Sequence, residues 1–477
     1  MTPPNDAPPP AAGTSLASSR SFRLRVVTLV VAIALGTLLA LRERVPGPRG
    51  SGAIVPVSGA VTVAVVGDTV IGRPIPRSER DGDFDAVVDV LRDATLAVAN
   101  LEVNLLDEQS AVSARGNGAP SWVFGTAREA EELAALGIDV AGHANDHAID
   151  YGHDGMADTR ALLGAAGLVP AGTGADLDEA RTAVIVGDER KAAIVAVAIS
   201  AAPESMATAT RGIVNGRPGV NPLRYVAEVT VDAATYETLR RSAPALQGGS
   251  ETTGDRFTLL GTSIRKGTET EVTLVPDAAD LEAILAEVAR AREVAEVVIL
   301  SVHSHEPSNG SDEPAELFRA LAQRAIDAGA QLVVGHGPHR LRGVEMYKGG
   351  AILYSVGNFL YLPAEGPAPP ENLYDAGFDM YSLALGLSTS SGGGPVTTGD
   401  GFWDGVAAVA TFDKGRLRAM HLQPLDLGGD LPAARRGVPR KASAARAEAM
   451  LERLARLSQP YGTDVRVENG VGIVEID

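Results

Sequence analysis

Six short apolar runs, each stopping abruptly at histidine, asparagine or an acid, constrain this 477-residue chain more than any other feature. VTVAVVGD ends at Asp68 and ATLAVANLE at Asn100 and Glu102. GIDVAGHANDH ends at His143, Asn145, Asp146 and His147, and EVVILSVHSHE at His303, His305 and Glu306. AQLVVGHGPH ends at His336 and His339, and AILYSVGNF at Asn358. Continuous aliphatic runs of about four to seven residues suit strands buried on both faces, where no position is left for alternating polar residues. Helical patterns at 155–167, 280–294 and 314–329 separate several of the runs. This alternation predicts a layered α/β fold. In such folds ligands sit beyond the C-terminal ends of the strands. The strands are therefore expected to build the core and their ends to deliver side chains into one crevice.

The two ends of the chain read differently. Residues 1–25 are rich in Pro, Ala and Ser and read as a disordered tail. The apolar segment Val26–Leu41 follows Arg20, Arg23 and Arg25. Its sixteen residues span roughly 24 Å at about 1.5 Å per residue, the length of a signal-peptide core. Arg42-Glu43-Arg44 follows with no small-residue cleavage site, which favours an uncleaved signal anchor over a cleaved signal. The basic flank predicts a cytoplasmic N-terminus and an exported main domain, secreted outright if the segment is cleaved. Residues 42–60 read as a linker, 61–425 as the main domain and 426–477 as a small α+β extension. Within the main domain, 386–401 reads as a flexible loop and Asp413-Lys414-Gly415 as a hairpin turn. In the extension, a helix is expected near Ala444–Leu457 and a second hairpin around Asn469-Gly470.

Composition narrows the chemistry. The chain has no cysteine, which excludes disulfides, thiolate catalysis and thiolate zinc sites. A net charge of −18 argues against nonspecific nucleic-acid binding, which needs clustered Lys and Arg. Seven of the eight histidines lie at or near the strand ends, His421 standing apart. Imidazole with carboxylate suits one or two borderline divalent ions such as Mn, Fe or Zn. The candidate ligands are Asp68, Asn100, Asn145, His147, His303, His336 and His339, with Glu102 and Asp146 close by. A pair of ions would activate water and polarise a target oxygen, bridged by Asp68 or a shared water. His147, His303 and Asp146 are the candidates for moving protons or orienting that water. Gly337 and Pro338 forbid a regular helix through His336 and His339, so a bent backbone can turn both rings to one point.

VVGDTVIGR, VANLEVNL, ANDHAIDYG, VHSHE and VVGHGPHRLRGVEMYKGGAILYSVGNF, in this order, resemble the CapA family of poly-γ-glutamate capsule biosynthesis proteins, over about residues 61–425. That family is similar to calcineurin-like metallophosphoesterases. The resemblance implies a four-layer α/β/β/α sandwich with a metal centre between two sheets. It places metal roles on Asp68, Asn100 or Glu102, Asn145 or His147, His303, His336 and His339. It also implies an anionic polymer or phosphoester substrate and membrane-embedded synthesis or export partners. The chain departs from the pattern twice. Asp68-Thr69-Val70 lacks the phosphoesterase Asp-x-His, so one metal is expected to be weakly held or missing. Asn145-Asp146-His147 replaces Asn-Asn-His, giving Asp146 either a metal or an acid–base role. The stretch GRPGVNPLR, also similar to one branch of the family, nominates Arg217, Asn221 and Arg224 for gripping an anionic substrate. Arg340 and Arg342 flank the histidine cluster and are open to the same reading.

Overall fold

The computed structural model describes residues 59–476 apart from 108, 111–122, 189, 248–251, 261 and 364–400. The tail, the apolar segment 26–41, most of the linker and nearly all of the loop at 386–401 lie outside the described residues. Among the described residues no helix is long and apolar enough to cross a membrane. Ile54–Asp477 forms one compact unit of mixed α/β structure, with eight α-helices among its described residues.

Two large sheets carry the predicted runs. The first has ten strands. Its main path runs Val465–Glu468, Val471–Val474, Arg416–Asp426, Asp404–Asp413, Val61–Ile71, Leu96–Leu101, Val140–Gly142, Val169–Ala171. The second has six, in the order Val344–Tyr347, Gly350–Leu353, Leu332–His336, Val297–His303, Ala192–Ala198, Val184–Val186. Its central strands are parallel, as continuous apolar runs predict. Alternation along each strand sends residues to two different cores. Val61, Val63, Val65, Leu96 and Val98 of the first sheet share one buried cluster with Ile194, Ala196, Val297, Ile299, Leu332 and Val334 of the second. Ala64, Val66, Ala97 and Ala99 instead meet Phe84, Val87, Val88, Leu91, Leu133 and Leu136 of the helices Gly82–Asp93 and Ala127–Leu136. Val195, Val197, Val298, Leu300 and Val333 meet Ile284, Val288, Phe318 and Leu321 of the helices Ala278–Val294 and Glu316–Asp327.

These helices start and stop where local chemistry allows. Asp81 and Asp277 cap two of them by accepting backbone N–H groups, and Thr126 with Glu129 forms a capping box on a third. Buried Phe84, Val87, Val88 and Leu91 recur at three- and four-residue spacing, one apolar stripe facing the sheet. Each such side chain, fully buried, contributes about 1.5–3 kcal/mol.

Two predicted strand ends prove more elaborate. The first strand does not stop at Asp68; it runs on to Ile71 with a register shift between Val65 and Asp68. Before the shift it pairs with Asp404–Asp413, and after it with Asn358–Leu362. Gly67 makes the change possible, since a Cβ there would lie 1.8 Å from the Gly357 carbonyl oxygen. The sixth run is two strands. Gly350–Leu353 belongs to the second sheet, and Asn358 opens a strand of the first. The chain thus passes between sheets at Tyr354–Gly357.

The expected hairpin at Asp413-Lys414-Gly415 is present between Asp404–Asp413 and Arg416–Asp426. The C-terminal helix spans Ala444–Ser458, and the last hairpin, Val465–Glu468 with Val471–Val474, adds to the edge of the first sheet. Met450, Leu451 and Leu454 join the cluster shared by both sheets. A smaller five-stranded sheet between Tyr225 and Pro276, with the helix Ala233–Gln247, was not foreseen from sequence.

Candidate metal centre

Register brings the polar ends together. Asp68 is the partner of Asn100 on one side and of Asn358 on the other. His303 is the partner of His336 in the second sheet. The Asn100 amide donates to Asp68 Oδ1 at 2.9 Å and lies 3.5 Å from His303 Nδ1, so the two sheets meet at these side chains. The Gly337 N–H also donates to Asp68, 3.1 Å from Oδ2. The bend at Gly337 turns both rings of the histidine pair to Asp68, His336 Nδ1 to 3.7 Å and His339 Nδ1 to 3.3 Å. His339 sits at φ 54°, a left-handed conformation uncommon outside glycine, and its Nδ1 is 3.0 Å from Asn358 Oδ1.

Two groups of potential ligands form. Glu102, Asp146, His303 and His305 each offer an atom within 4.8 Å of the others, and so do Asp68, Glu102 and His339. Glu102 belongs to both. Glu102 Oε1 stands between them, 3.8 Å from His303 Nε2 and 3.6 Å from His339 Nε2. In the first group Asp146 Oδ1 lies 2.9 Å from His303 Nε2 and Asp146 Oδ2 lies 3.3 Å from His305 Nε2.

Electrostatics follow from burial and crowding. Burial opposes the charge of Asp68, yet the His339 hydrogen bond and the neighbouring imidazoles hold it well below the usual carboxylate range. Burial raises Glu102. Burial acts to lower His339 and His305, but carboxylates outweigh it. Glu102 and Asp68 hold His339 up at about 10, and Asp146 holds His305 at about 9. His336, with less support, is pushed down by burial to about 4.

These residues fit a divalent cation. Among the described residues, both Glu102 oxygens and both His336 ring nitrogens are buried with no hydrogen-bond partner. Leaving such atoms unsatisfied costs about 1–3 kcal/mol each, more for a charge. A cation would satisfy them, and an N/O set without thiolate suits Mn, Fe or Zn.

The other expected residues lie outside these two groups of His, Asp and Glu. The Asn145 amide donates to Asn100 Oδ1 and the Leu101 carbonyl, bracing the loop. His147 Nδ1 pairs with Asp150 at 2.7 Å, leaving Nε2 3.9 Å from Asp146 Oδ2. His143 is buried outside both groups. Arg217 donates to the Pro203 and Met206 carbonyls of its own loop. Asn221 is buried between Arg181 and the Ala196 carbonyl, and Arg224 pairs with Asp280. The structure brings none of these three to the ligand groups. Buried Arg342 holds the loop after the fourth strand through the carbonyls of Glu306, Ser308 and Ser311.

Three contributors were not on the expected list. His305 was visible as the second histidine of HSH, and Asn358 as the end of YSVGN. Phe402 carried no signal. Its ring lies 5.7 Å from that of His339, and its carbonyl accepts from Asn358, making an aromatic wall with Tyr361.

Comparison with known proteins identifies relatives of this chain. The model of the family described as "Bacterial capsule synthesis protein PGA_cap" matches residues 62–361. The protein y4sH of Sinorhizobium fredii is 35% identical over 434 residues, covering 87% of this chain and 93% of the relative. A probable polyglutamine synthesis accessory protein of Mycobacterium tuberculosis is 30% identical over 230 residues, 47% of this chain and 46% of the relative. The PGA biosynthesis protein CapA of Bacillus subtilis is 24% identical over 306 residues, 63% of each chain.

Proposed function

This chain belongs to the bacterial capsule synthesis family PGA_cap, and from that premise we propose that it is a metal-dependent hydrolase or transferase acting on an anionic polymer or phosphoester. Its place is in the synthesis, export or anchoring of a polyglutamate-type polymer. The observation that carries the reading is the pair of ligand groups sharing buried Glu102. On this reading the fold is a four-layer α/β/β/α arrangement of metallophosphoesterase type. The cluster shared by both sheets and the two helix-covered outer faces support it. The proposal also puts the main domain outside the cytoplasm, tethered by 26–41 beside membrane-embedded partners.

Glu102, Asp146, His303 and His305 would hold one ion, and Asp68, Glu102 and His339 a second, with His336 beside Asp68. A bound divalent ion supplies Lewis-acid polarisation of the target oxygen and a water acidic enough to react near neutral pH. The chain's own groups handle the protons. Burial acts to lower His147, but Asp150 and Asp146 hold it well above the usual imidazole range. Asp150 fixes the Nδ1 side of the ring at 2.7 Å, so His147 can give up a proton from Nε2 to a leaving group.

A second reading is a non-catalytic scaffold of a polymer-export complex. Val70, standing where the phosphoesterase Asp-x-His carries its histidine, favours it. Metal analysis with an assay of a generic phosphodiester separates the two. Bound Mn, Fe or Zn, lost with hydrolysis in His336→Ala, supports the enzyme. Metal-free, inactive and normally folded wild-type protein supports the scaffold.

A further inference from the structure

The C-terminal helix Ala444–Ser458 lies beyond the matched region 62–361. Arg453 of this helix and Arg340, the residue after His339, both donate to one oxygen of Asp312, at 2.7 and 2.8 Å. Two guanidinium groups thus converge on a single carboxylate, with the Asp404 carboxylate also close enough to interact with Arg453. Among the described residues each arginine keeps a buried donor atom without a partner, Nη1 of Arg453 and Nε of Arg340, while Arg340 Nη1 donates to the Gly310 carbonyl at 2.9 Å. Neither side chain is sealed: Arg340 is 19% and Arg453 23% exposed, and Asp312 is 51% exposed.

Position ties the pair to the centre. Arg453 Nη1 lies 3.2 Å from where a Cβ on Gly401 would stand, and Gly401 precedes Phe402, the wall of His339. The Asp312 loop does not drift, because Arg342 grips the carbonyls of Glu306, Ser308 and Ser311 beneath it. Arg446, two turns earlier on the helix, is different. It faces Asp404 at 2.7 Å and Asp426 at 3.4 Å and serves to dock the helix.

We propose that Arg340 and Arg453 form an oxyanion subsite for the substrate, with Asp312 as the internal carboxylate that occupies the fork until a substrate carboxylate or phosphate replaces it. This rests on the hydrolase or transferase reading above and names where its anionic substrate is gripped. The planar guanidinium fork matches either oxyanion bidentately, and two forks facing one position would register one charged unit of a polymer beside the ligands. The role expected of Arg217 and Arg224 then belongs to arginines from two other segments.

The test is calorimetric titration of the full chain, with and without bound Mn²⁺, using a tri-γ-glutamyl peptide and, separately, inorganic phosphate. Metal content is measured in parallel. Arg453→Gln and Arg340→Gln are each expected to weaken binding about tenfold or more at unchanged metal content. Arg453→Lys fails to restore it, because an ammonium lacks the fork. Asp312→Asn is expected to tighten binding by removing the competitor, an effect a merely structural ion pair would not produce. Loss in the peptide arm identifies a carboxylate substrate, and loss in the phosphate arm a phosphoester. The subsite is overturned if the wild type binds neither anion, or if Arg453→Gln and Asp312→Asn leave both affinities unchanged. A wild type that takes up no metal counts against the hydrolase reading, while the metal-free titration still decides the subsite.

Discussion

Glu102 Oε1 lies 3.6 Å from His339 Nε2, and this approach joins two groups, each drawn from the strand ends of both sheets, into one centre. Among the described residues both Glu102 oxygens are buried without a hydrogen-bond donor, an arrangement that costs stability unless a cation completes it. Glu102→Gln should therefore lower the metal content of purified protein, read by elemental mass spectrometry. The metal-free variant should melt no lower than the metal-free wild type. A purely structural Glu102 would instead give a lower melting temperature at unchanged metal content.

Metal uptake should expel protons. His339 and His305, held near 10 and 9 in the metal-free chain, are protonated at pH 7, and only neutral imidazole binds a cation. Apparent affinity should accordingly rise with pH between about 6 and 9. Titrations in buffers of different ionisation enthalpy should give a binding heat that varies with the buffer. A buffer-independent heat at pH 7 would count against these two ligands.

The sheet-to-sheet passage at the centre depends on Gly67. A Cβ there would fall 1.8 Å from the Gly357 carbonyl, against backbone that cannot move without breaking the Asp68 N–H bond to that same oxygen. Gly67→Ala should cost about 3 kcal/mol or more in urea unfolding. It should also weaken metal binding through displacement of Asp68.

Asp280 offers a pH test away from the centre. Burial would raise its carboxyl, but Arg224 and Arg181 hold it below the ordinary range. A depressed acid contributes stability that is complete above its unfolded value of about 3.9 and is lost as pH falls through the folded value. Asp280→Asn should cost about 2 kcal/mol at pH 7, less than for a fully enclosed pair because Arg224 is half exposed. The gap between wild type and variant should close below about pH 4.

Much of the centre was legible because its residues end continuous apolar runs, a pattern that only doubly buried strands explain. His303, His336 and His339 follow from that alone. The bulge at Asp68 was not legible, since Gly67-Asp68 reads as a turn; only the passage of a second strand at Gly357 shows why the strand continues. Glu102 as the residue common to both groups was hidden because one carboxylate after a strand has no distinctive spacing. Arg217, Asn221 and Arg224 show the opposite limit. A sequence cannot tell an arginine that faces a ligand from one that holds its own loop, as Arg217 does with the Pro203 and Met206 carbonyls. The five-stranded sheet between Tyr225 and Pro276 was missed because its strands are short and mix Thr, Arg and Glu on exposed faces.

The most direct test is a crystal structure of the protein grown with Mn²⁺ and measured for anomalous scattering. Two peaks are expected, one among Asp146, His303 and His305 and one beside Asp68 and His339, with Glu102 touching both. No peak at these residues, or a single peak out of reach of Glu102, would contradict the account.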